Sequence, residues 1–254
     1  MEPFDKLVAL METLRGDEGC SWDRKQTTSA FKTFMLEEVY EIIEAIEKDD
    51  MEGLKEELGD LLFHIVFVAQ ICRERGAFDI TEVVDSVYHK MYNRHPHVFQ
   101  KDGNDEPIET RWEEIKKGEK DDYSLLANIP PSMPALLRAY VITKRASRVG
   151  FDWERIDDVY EKISEEVGEL KEAQVSGRHD LVREEVGDLL FTIVNIARFL
   201  DVDPEDALRS TSDKFVKRFG YIEKKTDIRN ASLDTMDRLW NESKSMEDEE
   251  GQPL

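Results

Sequence analysis

The stretch EELGDLLFHIV at residues 56–66 returns as EEVGDLLFTIV at 184–194, and each copy sets an Asp against a long apolar run. An ionised carboxylate in such a helix is costly unless something cationic answers it. At helical spacing Glu57, Asp60, His64 and Phe67 fall at i, i+3, i+7 and i+10, which makes one stripe. The segment before it carries Glu37, Glu38 and Glu41, with Glu38 and Glu41 again three apart. The intervening turn, KDDMEG, lets two helices run antiparallel and aim both pairs at one spot. Most other positions from Leu58 to Ala69 are apolar, so this helix is expected to be buried most of the way round, with its acidic stripe facing a cavity. The second copy repeats the set as Glu166, Glu169, Glu185 and Asp188.

One E-x-x-E pair in a chain with 57 acidic residues is ordinarily a solvated helix face. A full E-x-x-E…E-x-x-D set, duplicated at the same internal spacing, is not. Four clustered carboxylates repel and take up protons unless cations neutralise them. Two divalent ions balance the four charges. An all-oxygen ligand set favours Mg²⁺, with Mn²⁺ the alternative, over zinc or iron. The residues expected to hold metal are therefore Glu38, Glu41, Glu57 and Asp60, and Glu166, Glu169, Glu185 and Asp188.

The elements that position these groups come from a duplication. Residues 56–69 and 184–197 share ten identities in fourteen positions without a gap. EEVYE at 37–41 answers EEVGE at 165–169, KMYNR at 90–94 answers KFVKR at 214–218, and Trp112 with Lys116 answers Trp240 with Lys244. An all-α fold of two tandem homologous bundles follows, with about five helices each. The first domain spans 1–122, with helices expected near 3–15, 27–48, 51–75, 79–93 and 106–119. The second spans 134–254, with helices near 134–148, 154–175, 178–200, 203–225 and 232–246. Residues 123–133 form the linker, within DDYSLLANIPPSMP, where three prolines interrupt the periodicity.

Bulk composition agrees. Only 13 glycines and 8 prolines in 254 residues disfavour a turn-rich β fold. A net charge of −22 argues against nucleic-acid or anionic-membrane partners. Two cysteines, Cys20 and Cys72, make neither a metal motif nor a disulfide framework. No segment reads as a signal peptide or bilayer span, so the expected location is cytoplasmic.

The ordered combination of the acidic pattern with GDLLF, CSWDRKQT (20–27), RHPHVF (94–99), RVGFDW (148–153) and KFVKRF (214–219) resembles the all-α nucleoside triphosphate pyrophosphohydrolases, specifically the two-domain MazG proteins. The resemblance covers nearly the whole chain. It implies helical bundles assembled as a homodimer, Mg²⁺ held by the acidic tetrads, and hydrolysis of a nucleoside triphosphate to the monophosphate and pyrophosphate.

The residues can support that chemistry. A carboxylate not fully engaged with metal orients water or takes its proton, and the candidates are Glu38 and Glu166 or their neighbours Glu37 and Glu165. Lys90 with Arg94, and Lys214 with Arg218, sit at i, i+4 and offer a point charge and a forked donor to phosphates. Trp240 with Lys244 resembles the family's final nucleotide-contacting helix. Trp112 with Lys116 reads equally as helix packing. Asn195 lies seven residues past Asp188, roughly 10 Å along the helix, where a side-chain amide can read a base edge. Phe67 replaces it in the first domain.

His95 and His97 read as a loop staple. His64 becomes Thr192 in the repeat and is therefore not essential to a shared mechanism. Two other classes remain as alternatives. A ferritin-like di-iron protein needs Glu-x-x-His pairs, which neither repeat has at its acidic positions. A non-catalytic nucleotide-binding adaptor is disfavoured by two complete tetrads.

Overall fold

The computed structural model describes residues 2–99 and 124–250, and no strand occurs among them. The chain divides into two compact units, 1–105 and 106–254. The helix expected near 106–119, with Trp112 and Lys116, lies outside the described residues.

In the first unit α1 (Pro3–Arg15) leads through a 3₁₀ turn at Asp23–Lys25 to α2 (Phe31–Glu47) and α3 (Met51–Glu74). Then come α4 (Ile80–Arg94) and the short α5 (Pro96–Phe99). The α2–α3 turn closes with Asp49 at φ 53°, and Asp50 caps α3 by accepting from the Gly53 amide at 3.0 Å. A reciprocal Asp79–Glu82 capping box opens α4. Met11, Phe31, Val66, Phe67 and Ile71 form the core, so α1, α2 and the second half of α3 close on one another.

The second unit repeats the plan with α6 (Ala135–Ser147), α7 (Ile156–Ser176), α8 (His179–Phe199), α9 (Pro204–Lys225) and α10 (Leu233–Glu250). Gly177, at φ 71°, supplies the left-handed residue that ends α7 and lets α8 start two positions later. Asp203 caps α9, with Pro204 in its first turn. Its buried apolar residues include Ile129, Val159, Val194, Ile222 and Leu239. Part of the stretch expected as linker packs on this unit: Ile129 is buried and Arg145 donates to the Leu125 carbonyl at 3.0 Å.

One expectation needs correcting. α3 is enclosed only toward its C-terminal half, where Val66, Phe67, Ala69 and Ile71 are buried. Its first half leaves Leu58 and Leu62 half exposed, as α8 does Val186 and Leu190. The apolar run predicts burial most of the way round, but among the described residues each unit supplies no helix to cover that face.

Candidate metal centres

The α2–α3 hairpin brings the acidic residues of the first unit together. One ligand oxygen from each of Glu38, Glu41 and Glu57 lies within 4.8 Å of the others. Glu38 faces His64 while Glu41 faces Glu57, so chain direction reverses between α2 and α3 and the pairs converge, as their spacing implies. Asp60 is exposed on the turn after Glu57, outside that trio. In the second unit the converging oxygens belong to Glu166, Glu185 and the exposed Asp188, and Glu169, also exposed, lies outside that trio.

The electrostatics match crowded carboxylates. Desolvation raises the Glu41 pKa above its ordinary value, reinforced by repulsion from Glu38 and Glu37. Glu57 is raised by desolvation and then by Glu41 and Glu38. Glu185 is raised by desolvation and then by Glu169, Glu166 and Asp188. Each cluster thus penalises its own full ionisation, and the donors are all oxygens. This is the character of a hard divalent-cation site.

The two units answer their first glutamate differently. Glu38 Oε1 lies 3.1 Å from His64 Nε2, and both side chains are 14% exposed. Glu166 is 5% exposed at its side chain and pairs with Lys162 at 2.8 Å. Lys162 also donates to Glu165 at 2.8 Å, and these two bonds hold its pKa well above the lysine range. Sequence reasoning missed Lys162. Its signal was the i, i+4 offset to Glu166, hidden because the corresponding residue of the first unit is Phe34.

The other candidates are distributed as follows. Glu37 and Glu165 are exposed, beside the half-buried Glu38 and the buried Glu166. Lys90 and Lys214 are exposed on α4 and α9, each one turn before the partly buried Arg94 or Arg218. Arg218 lies over the Trp240 ring at 5.6 Å, and Phe215 packs on the same ring at 5.2 Å. Lys244 is exposed one turn further along α10. Asn195 is fully buried: its amide donates to the Phe191 carbonyl at 3.0 Å and its oxygen accepts from Arg198 at 3.3 Å. A base reaches it only by displacing these partners. Arg198 in turn grips Asp152 of the RVGFDW loop through both terminal nitrogens. His95 Nδ1 lies 2.6 Å from the Met91 carbonyl, which fastens the end of α4 and fits the staple reading.

Comparisons with known proteins place both clusters inside matched regions. The model of the MazG nucleotide pyrophosphohydrolase domain matches residues 26–99 and 156–221. The chain is 47% identical over 251 residues to the nucleoside triphosphate pyrophosphohydrolase/pyrophosphatase MazG of Thermotoga maritima, covering 95% of each protein. It is 40% identical to the nucleoside triphosphate pyrophosphohydrolase of Escherichia coli K12, over 97% of this chain and 99% of that one. It is also 43% identical to the uncharacterised YabN of Bacillus subtilis, covering 96% of this chain and 52% of that protein.

Proposed function

The chain belongs to the MazG nucleotide pyrophosphohydrolase family, and from that premise we infer that it hydrolyses nucleoside triphosphates at the α–β phosphoanhydride. One water is consumed, and the products are the monophosphate and pyrophosphate. The observation that carries the reading is the pair of converging all-carboxylate clusters, one in each matched region.

We propose Mg²⁺, with Mn²⁺ able to replace it, as the ion held by Glu38, Glu41, Glu57 and Asp60 and by Glu166, Glu169, Glu185 and Asp188. The all-oxygen donor set and the buried Glu38 Oε2, which has no hydrogen-bond partner among the described residues, support this fit. When bound, such an ion lowers the pKa of its water and draws charge from phosphate oxygens. The chain's own residues do the rest. Glu38 and Glu166, or the exposed neighbours Glu37 and Glu165, orient the water and accept its proton. Lys90 with Arg94 and Lys214 with Arg218 hold the phosphate tail, and Lys162 brings one more cation to the second cluster. Trp240 and Lys244 on α10, with Asn195, are the proposed nucleotide-contacting groups of the second unit. Trp112 and Lys116 are their proposed counterparts in the first.

Residues 1–122 and 134–254 are proposed as the functional domains, joined by 123–133. A homodimer is also proposed, supported by the exposed apolar residues Leu58, Leu62, Val186 and Leu190 on the two helices that carry the acids. No described helix is long and apolar enough to cross a membrane. A cytoplasmic location and the absence of nucleic-acid partners stand as proposals, supported by the charge of −22.

The test is product analysis by anion-exchange chromatography across a panel of common and damaged triphosphates with Mg²⁺. Monophosphate and pyrophosphate are expected. Diphosphate with orthophosphate, or full activity in excess EDTA, refutes the reading.

A further inference from the structure

We propose that His64 is a positioning residue that fixes Glu38 for metal in the first unit, a role with no equivalent among the described residues of the second. The inference rests on the metal reading above. Three observations carry it.

The first is the ring's confinement. His64 packs edge-on against Phe31 at 5.3 Å and against Phe63 at 5.6 Å, and stacks on Phe34 at 5.8 Å. With aromatic neighbours from α2 and from its own helix, the imidazole has little rotational choice. A carboxylate only accepts, so the 3.1 Å contact to ionised Glu38 Oε1 requires the hydrogen on Nε2.

The second is what this leaves open. Glu38 Oε2 is buried and has no hydrogen-bond partner among the described residues, while Glu38, Glu41 and Glu57 converge within 4.8 Å. One oxygen is taken by a fixed donor and the other is left for a ligand the protein does not supply. A rigid donor reduces the ordering that ion binding requires of Glu38.

The third is the exchange between the units. Positions 34 and 64 are Phe and His in the first unit; the matching 162 and 192 are Lys and Thr in the second. Thr192 turns its hydroxyl back to the Asp188 carbonyl at 2.9 Å and does not serve Glu166. Glu166 is held instead by a lysine, a full cation that an incoming ion must displace. His64 contributes a hydrogen bond without a long-armed competing cation.

The experiment uses the full-length chain carrying Glu185→Gln, which weakens the second cluster, and measures Mn²⁺ binding by electron paramagnetic resonance. Into this parent go His64→Gln, whose amide can donate from nearly the Nε2 position, and His64→Leu, which fills space without donating. His64→Leu should weaken the remaining Mn²⁺ site about tenfold, the size of one hydrogen bond to a charged group. His64→Gln should stay within about threefold of the parent. Rescue by Gln but not Leu separates positioning from packing. If folded His64→Gln loses as much as His64→Leu, or if neither changes Mn²⁺ affinity, the role assigned to His64 is wrong. A parent that binds no Mn²⁺ sensitive to Glu57→Gln overturns the metal reading itself, and this inference with it.

Discussion

Lys162→Met offers a direct measure of how the second cluster manages its charge. In the metal-free protein this change removes the amine that lies 2.8 Å from both Glu165 and Glu166. Glu166 is 5% exposed at its side chain, so losing its partner leaves a carboxylate among other carboxylates in a poorly solvated place. A hydrogen bond to a charged group is worth about 1.5–3 kcal/mol. Lys162 is 34% exposed, and solvent screening brings the expected loss down to about 1–2 kcal/mol. At roughly 2–4 °C per kcal/mol for a domain of about 150 residues, the second unit should melt about 2–8 °C lower in EDTA. Saturating Mg²⁺ should act in the opposite direction. The ion supplies the missing positive charge and no longer has to displace a lysine, so it should stabilise the variant more than the wild type. Differential scanning calorimetry in EDTA and in Mg²⁺ reads both. A variant as stable as wild type in EDTA, or a deficit that Mg²⁺ leaves untouched, would refute the idea that Lys162 stands in for metal.

Glu185→Gln should remove most activity on common triphosphates and Glu57→Gln less, measured on one substrate panel; the reverse order on every nucleotide would place the catalytic weight in the first unit. In EDTA the raised pKa of Glu185 means that its contribution to stability is fully present below its unfolded value, near 4.5, and is lost as pH rises through the folded value. Glu185→Gln should therefore raise the melting temperature at neutral pH and lose that advantage below pH 4.5, as thermal melts at both pH values will show. Asn195→Ala should blur discrimination among bases and also lower thermal stability, because the side chain it removes is fully buried; relative kcat/KM values and a melting curve check the two halves. Sedimentation at micromolar concentration should find a dimer, and a monomer there would contradict the proposed assembly.

Much of this was legible because repetition turns weak signals into strong ones. The acidic offsets put Glu38, Glu41 and Glu57 on facing stripes, whose oxygens converge within 4.8 Å. The rest depends on what happens across helices. Spacing along one helix fixes a face, but not which side chain of the neighbouring helix reaches it. So reading His64 as not essential to a shared mechanism says nothing of its 3.1 Å contact with Glu38, and Lys162 is hidden because Phe34 breaks the repeat at that position. Asn195 shows the same limit: its place on the stripe is readable, whereas its bonds to Phe191 and Arg198 depend on rotamers and on how α8 meets the loop holding Asp152. The half-exposed Leu58 and Leu62 were equally hidden, since an apolar run cannot report whether a covering helix exists in the same chain.

The hairpin that bears each cluster has a consequence for the order in which the chain folds. From Glu38 to Asp60, and from Glu166 to Asp188, a site spans only 22 positions, joined by a turn of two or three residues. Contacts so close in sequence cost little loop-closure entropy and form early. Mutual repulsion among the carboxylates therefore arises before the outer helices have docked. Partners for the first glutamate travel with the hairpin: Lys162 lies one turn before Glu166, and His64, which contacts Glu38, lies one turn beyond Asp60. Each nascent pair of helices thus carries its own partner for the first glutamate, a cation in one unit and a hydrogen-bond donor in the other, and need not await a distant segment.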